Sequence, residues 1–122
     1  MTTKNKINFK SAAPNPMFNH VLDITPEELF ENRTKVKIID VRRHDEWVGE
    51  FGHIKEAELL TLDTLPKHLD KLPKDHTVVF VCRSGGRSAQ AAAIAMQNNC
   101  SDVYNMKGGM IAWTDKKLAT TK

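Results

Sequence analysis

The stretch Cys82-Arg83-Ser84-Gly85-Gly86-Arg87-Ser88 gathers a thiol, two hydroxyls, two guanidinium groups and two glycines within seven consecutive residues. It follows the β-branched run Thr77 to Val81 and precedes an alanine-rich helical pattern, so the local order is strand, tight loop, helix. Unpaired N–H groups at a helix start point into such a loop, and the helix dipole places partial positive charge there. Gly85 and Gly86 can take backbone angles closed to other residues, which would let successive N–H groups turn inward as an anion-binding nest. A cysteine at the mouth of that nest, with Arg83 and Arg87 close in sequence, is expected to favour its thiolate, whereas a free cysteine is only a few per cent ionised at neutral pH. The chemistry expected is therefore nucleophilic attack by sulfur on an anionic substrate, with no separate general base. Cys82 is the candidate nucleophile, and Arg83, Ser84, Gly85, Gly86, Arg87 and Ser88 are the candidate substrate-binding residues, although the Ser88 hydroxyl also suits a helix cap. A lone cysteine at a strand end is more commonly a small buried hydrophobe. The glycines and arginines set Cys82 apart from that reading, and their absence around Cys100 favours packing for the second cysteine, with a resolving thiol for Cys82 as the alternative if the Cα atoms come within about 7 Å.

The elements that must position this loop are legible around it. Val36-Lys37-Ile38-Ile39-Asp40 and Thr77-Val78-Val79-Phe80-Val81 read as strands, and their continuous apolar character suits a parallel sheet covered on both faces. Thr25-Pro26-Glu27-Glu28 carries an N-cap, a proline at the first helical position and a Glu three residues on, predicting a helix to about Asn32. Leucines at 62, 65, 69 and 72 place one apolar stripe on a helix over Leu62 to Leu72, with Pro66 in its first turn. Ala89, Ala92, Ala93 and Met96 do the same for a helix over Ser88 to Asn99. Asp102 to Met106 offers another strand, Gly108-Gly109 a turn, and Met110 to Leu118 a last helix. Alternating strands and helices indicate an α/β fold with a largely parallel sheet and helices on both faces. Residues 1–16, with Pro14 and Pro16, are expected as a flexible arm, residues 17–118 as the domain and residues 119–122 as a tail.

Composition narrows the function classes. The chain has 122 residues, enough for one domain, and 18 Lys and Arg against 15 Asp and Glu give a formal net charge of +3. That excess is too mild and too evenly spread to point to nucleic acid. The densest basic stretches are Lys4, Lys6 and Lys10, then Lys116, Lys117 and Lys122, where solvated ends are expected. No secretory pattern opens the chain and no apolar run approaches the roughly 20 residues of a membrane-spanning helix, so a cytoplasmic address without membrane contact is expected. Two cysteines and five scattered histidines lack metal-ligand spacing, so neither a metal nor another cofactor is expected.

In order along the chain, Ile39-Asp40-Val41-Arg42, Glu46-Trp47, Gly52-His53-Ile54, Cys82 to Arg87 and Gly108-Gly109-Met110-Ile111-Ala112-Trp113 resemble the signature segments of the rhodanese family. The resemblance runs from about Ile24 to Trp113. It implies a rhodanese-like, five-stranded, mostly parallel sheet with the catalytic loop at a strand's C-terminal end. It also implies a sulfurtransferase that moves sulfane sulfur from thiosulfate or a similar donor, through a Cys82 persulfide, to a thiophilic acceptor such as a thiol or cyanide. The four residues between Cys82 and Arg87 are one fewer than related phosphatases enclose, which favours sulfur over a tetrahedral phosphate. Mercaptopyruvate-using members typically carry Gly after the cysteine and end the loop in a hydroxyl residue, where this chain has Arg83 and Arg87. The sequence departs from the family where Lys55-Glu56-Ala57, instead of Pro-Gly-Ala, follows Ile54, beside the site.

Asp40 and Arg42 end an early strand at the sheet edge where α/β sites assemble, and are expected to support the loop by pairing or capping. His53 is expected to make a structural hydrogen bond, and Trp47 and Trp113 to be core or wall aromatics. Two hypotheses share the nucleophile: turnover of a small donor, or a persulfide relay module loaded or unloaded by a partner such as a sulfur-carrier protein. A catalytically inactive binding domain and phosphate-ester chemistry are disfavoured, the first by the intact cysteine and arginines and the second by the short loop.

Overall fold

The computed structural model describes residues 7–122, so the expected basic cluster at Lys4 and Lys6 lies outside the described residues. Six strands, β1 (Ala13–Pro14), β2 (Leu22–Ile24), β3 (Lys37–Asp40), β4 (Ala57–Leu59), β5 (Val78–Val81) and β6 (Val103–Met106), form one sheet in the order β1-β2-β6-β5-β3-β4. All neighbours run parallel except β1, which pairs antiparallel with β2. The fold is the expected α/β class with one strand more than expected. The extra strand comes from the segment expected to be a free arm: Ala13 and Pro14 pair with Asp23 and Leu22, Asn15 is buried, and Phe9 packs edge-on against Tyr104 with ring centroids 4.8 Å apart. The expected boundary at residue 17 thus falls inside packed chain, because Phe9 supplies apolar surface that the arm cannot leave in water.

The central strand β5 is buried at all four residues, and its pleat sends Val78 and Phe80 to one face and Val79 and Val81 to the other. α1 (Pro26–Glu31) and α4 (Gly109–Asp115) cover the Val79 face, where Ile24, Met106, Met110 and Trp113 join the core. α3 (Gly86–Gln97) covers the Phe80 face through Ala91, Ala92 and Ala95, each fully buried, whose small side chains let helix and sheet approach closely. A short α2 (His44–Trp47) lies between β3 and β4. Thr25 caps α1 as expected, its hydroxyl accepting from the Glu28 N–H at 3.2 Å. The Glu28 carboxylate, however, accepts from the Lys10 and Ser11 N–H groups at 2.7 and 2.9 Å and so pins the N-terminal segment.

The helix expected over Leu62 to Leu72 does not form. Two 3₁₀ turns, Leu65–Lys67 and Leu69–Lys71, stand there, separated by His68 at φ −124° and ψ 14°, outside helical backbone. Pro66 supplies no N–H to a helical ladder. The leucines are nevertheless buried or half-buried against the core, so tertiary packing uses the stripe without the helix. At the other end the expected tail is tied down: Thr121 and His53 exchange both backbone hydrogen bonds, at 2.8 and 2.9 Å, and Trp113 Nε1 donates to the Ala119 carbonyl at 3.1 Å. No helix among the described residues is long and apolar enough to cross a membrane.

Candidate active site

Cys82 follows directly on β5, at the carboxyl end of the sheet, and the next turn enters α3. Gly85 turns the chain with φ +105°, the left-handed region open to glycine, and its N–H donates to Cys82 Sγ at 3.0 Å. Ser88 Oγ lies 3.2 Å from the same sulfur. The loop is clamped from behind by α4, whose first N–H groups take its carbonyls: Met110 N donates to Cys82 O at 2.8 Å and Ile111 N to Arg83 O at 3.0 Å. Gly109, at φ +59°, allows that approach, since a Cβ there would sit 2.4 Å from the Arg83 carbonyl. Cys82 is 1% exposed, at the floor of the loop.

The two arginines of the loop face different neighbours. Arg87 turns to α2 and makes a bidentate pair with Glu46, at 2.7 and 2.8 Å. This pair draws the Glu46 carboxyl down to about 2, chiefly through the Arg87 hydrogen bonds. It raises Arg87 in turn, mainly through Glu46, with Cys82 and Asp40 adding to the same direction. Arg83 is exposed, with its guanidinium carbon 5.5 Å from the Phe51 ring centroid. It lines an open cleft of about 190 Å³ together with Arg42, Glu46, Glu50 and Phe51. Ser84, Gly85 and Gly86 line a second cleft, of about 350 Å³, with Phe18, Asn105 and Lys107. The candidate loop residues are therefore brought together around Cys82, except that the Arg87 charge is already engaged.

Asp40 and Arg42 hold each other in a buried pair, with Arg42 Nε and Nη2 donating to the carboxylate at 2.9 and 2.8 Å. Arg42 also donates to the Glu46 carbonyl at 3.2 Å and to the Gly52 carbonyl at 2.7 Å. The pair supports α2 and the Gly52 turn, and through Glu46 it reaches Arg87, one step removed from the loop. His53 Nδ1 donates to the Trp47 carbonyl, 2.9 Å away, and the imidazole stacks on the Trp47 ring at 3.5 Å. Cys82 and Cys100 sit at opposite ends of the 12-residue α3. At about 1.5 Å per residue that separation far exceeds the roughly 7 Å a disulfide tolerates.

Three buried residues at the site escape a sequence reading. Ser88 Oγ lies 2.5 Å from Asn105 Oδ1, Asn105 Nδ2 donates to Asp23 Oδ1 at 2.9 Å, and Asn15 Nδ2 donates to Asp23 at 3.0 Å. Asp23 and Asn105 occupy adjacent strands and are paired in register. A period-two pattern on the strands is the signal that would have placed them on one face, but β2 is only three residues long. Among the described residues no group of His, Cys, Asp and Glu has the arrangement to hold a metal ion.

A donor-lined thiol at a helix start, closed by a Gly-Gly helix clamp, agrees with the comparisons to known proteins. The rhodanese-like domain matches residues 22–116. The chain belongs to that family. A protein named sulfurtransferase from Allochromatium vinosum is 35% identical and covers 80% of this chain and 89% of its own length. The probable adenylyltransferase/sulfurtransferase MoeZ of Mycobacterium tuberculosis is 39% identical over 74% of this chain, and the chain spans about a quarter of that relative's length (24%). Among solved structures, a rhodanese-like domain protein from Staphylococcus aureus superimposes with a TM-score of 0.68 at 34% identity, over 82% of this chain and 98% of that one.

Proposed function

We propose that this rhodanese-like domain is a sulfurtransferase that carries sulfur as a persulfide on Cys82. The observation that carries this reading is the Gly85 N–H aimed at Cys82 Sγ at 3.0 Å, at the start of a 12-residue helix. A helix N-terminus with an inward N–H stabilises a sulfur anion where charge must reside. The Cys82 thiolate attacks the outer sulfur of thiosulfate, the S–S bond of the donor breaks, and sulfite leaves with the electron pair. The cysteine persulfide then gives its terminal sulfur to a thiolate or cyanide, and Cys82 is restored as thiolate. No oxidant or cofactor enters this balance.

Thiosulfate is favoured as donor by the exposed Arg83, which offers a cation at the mouth of the cleft beside the loop. Arg87 acts differently in this reading: held by Glu46, it braces the loop and contributes background positive potential. A second reading, in which a partner protein loads or unloads Cys82, draws on the Mycobacterium relative, where the matching segment is a quarter of a longer protein. In such an arrangement sulfur passes between protein sites. Steady-state rates with thiosulfate, mercaptopyruvate and glutathione persulfide separate the two. The small-donor reading expects thiosulfate to be used best; negligible turnover with all three would favour the relay.

A further inference from the structure

The sulfur of Cys82 lies at one end of a buried hydrogen-bonded chain whose direction is fixed at the other end. Asn15 Oδ1 accepts from the Met17 and Phe18 backbone N–H groups at 2.9 and 3.0 Å, so its amide nitrogen must face Asp23, where it sits at 3.0 Å. A carboxylate only accepts, so Asn105 must also present its nitrogen to Asp23, at 2.9 Å, and its oxygen to Ser88. Two oxygens 2.5 Å apart need a proton between them, and Asn105 has none to give on that side. The single proton of Ser88 therefore goes to Asn105. That leaves lone pairs of Ser88 Oγ facing Cys82 Sγ at 3.2 Å, a partner for a thiol proton and a poor one for a thiolate.

We propose that Asp23 and Asn105, acting through Ser88, are positioning residues that oppose the Gly85 N–H and set how readily Cys82 ionises. The inference deepens the reading of Cys82 as the sulfur-carrying nucleophile and rests on it. The two sides of the sulfur then pull in opposite senses. The Gly85 N–H and the helix start favour the anion, while the chain ending on Asp23 favours the proton. Ionisation requires Ser88 to swing its proton to sulfur and leave two bare oxygens facing one another, or Asn105 to turn over and break from Asp23. The charged groups around this chain are Arg87 on α3, Glu46 and Asp40 behind it, and Lys107 beside Asp23 and Asn105 in the cleft. None of the four hydrogen-bonds to the Asn105 or Ser88 side chain, so the chain's sense is set by Asp23 and Asn15.

The test is the pH dependence of iodoacetamide alkylation of Cys82, followed in a Cys100→Ser background by mass spectrometry of the peptide that carries it. Asp23→Asn is isosteric and lets the amide at 105 turn over; Asn105→Leu, nearly isosteric, removes the acceptor that captures the Ser88 proton, and Asn105→Ala serves if Leu is not accommodated. Both changes are expected to move the profile to lower pH and to speed alkylation below its midpoint about three- to tenfold, the net worth of one ordinary hydrogen bond. The double variant is expected to go no further than the larger single change, because both act through one chain. A shift with Asp23→Asn alone would reduce the effect to removal of a negative charge and overturn the chain; additive shifts, no shift, or a shift to higher pH would overturn it too. Circular dichroism checks that each variant is folded. The readout concerns the thiol itself, so it stands apart from whether Cys82 retains sulfur from thiosulfate.

Discussion

Glu46 accepts both terminal nitrogens of Arg87, at 2.7 and 2.8 Å, and thereby joins α2 to the first turn of α3 across 41 residues of sequence. Its carboxyl is drawn down to about 2, chiefly by these bonds, from an ordinary value of 4.5. A group whose folded value is depressed adds stability that is fully present above the unfolded value and is lost as pH falls through the folded one. Glu46→Gln is therefore expected to lower stability by about 1–2 kcal/mol near neutral pH, the range for a partly exposed bidentate pair. The difference from the parent should shrink as pH falls from about 4.5 towards 2, which urea denaturation at several pH values would measure. A difference that stays constant over that window would mean the pair is not formed in solution.

Arg83 and Arg87 are expected to separate in their effects. Arg83 is exposed and, among the described residues, pairs with no carboxylate, whereas Arg87 is bound to Glu46. Arg83→Ala should lower kcat/KM for thiosulfate about three- to tenfold with little change in melting temperature, and less for a neutral donor. Arg87→Ala should lower the melting temperature along with the rate for every donor. Equal charge selectivity in the two variants would contradict the division of roles.

The clamp of α4 on the loop gives a paired test with two glycines. A Cβ at Gly109 would lie 2.4 Å from the Arg83 carbonyl and 2.5 Å from that of Cys82, at a φ of +59°, while a Cβ at Gly86 meets nothing within 4 Å. Gly109→Ala is expected to destabilise the protein by more than about 2 kcal/mol and to abolish sulfur loading. Gly86→Ala, in the first turn of a helix, is expected to be neutral or to stabilise by up to about 1 kcal/mol. Thermal denaturation with intact-mass analysis after thiosulfate would show both; tolerance of Gly109→Ala would mean the loop is not held against α4.

What the residues made legible follows from how local the signals are. The strand, loop and helix around Cys82 lie in one contiguous stretch, each part with its own periodicity or turn chemistry, and all three form in that order, with the helix starting at Gly86, two residues before the expected Ser88. The helix over Leu62 to Leu72 failed because an apolar stripe reports burial, and His68 and Pro66 break the helical backbone while leaving the leucines packed. The Asp23, Asn105 and Ser88 chain was illegible because its members are 82 and 17 residues apart and meet only through strand register. Arg87 was expected beside the substrate on sequence proximity to Cys82. Its long side chain instead reaches a carboxylate 41 residues away, a choice that depends on where α2 is placed.

The central claim is that Cys82 carries the transferred sulfur, and it is tested most directly by intact-protein mass spectrometry after incubation with thiosulfate and no acceptor. The protein is expected to become heavier by one sulfur atom, located on the peptide containing Cys82 and removed by cyanide, with Cys100→Ser loading normally and Cys82→Ser not at all. Gain of sulfur only when a cysteine desulfurase is supplied would replace the small donor with a protein relay. Failure of both treatments to load Cys82, or loading that persists in Cys82→Ser, would contradict the sulfurtransferase assignment.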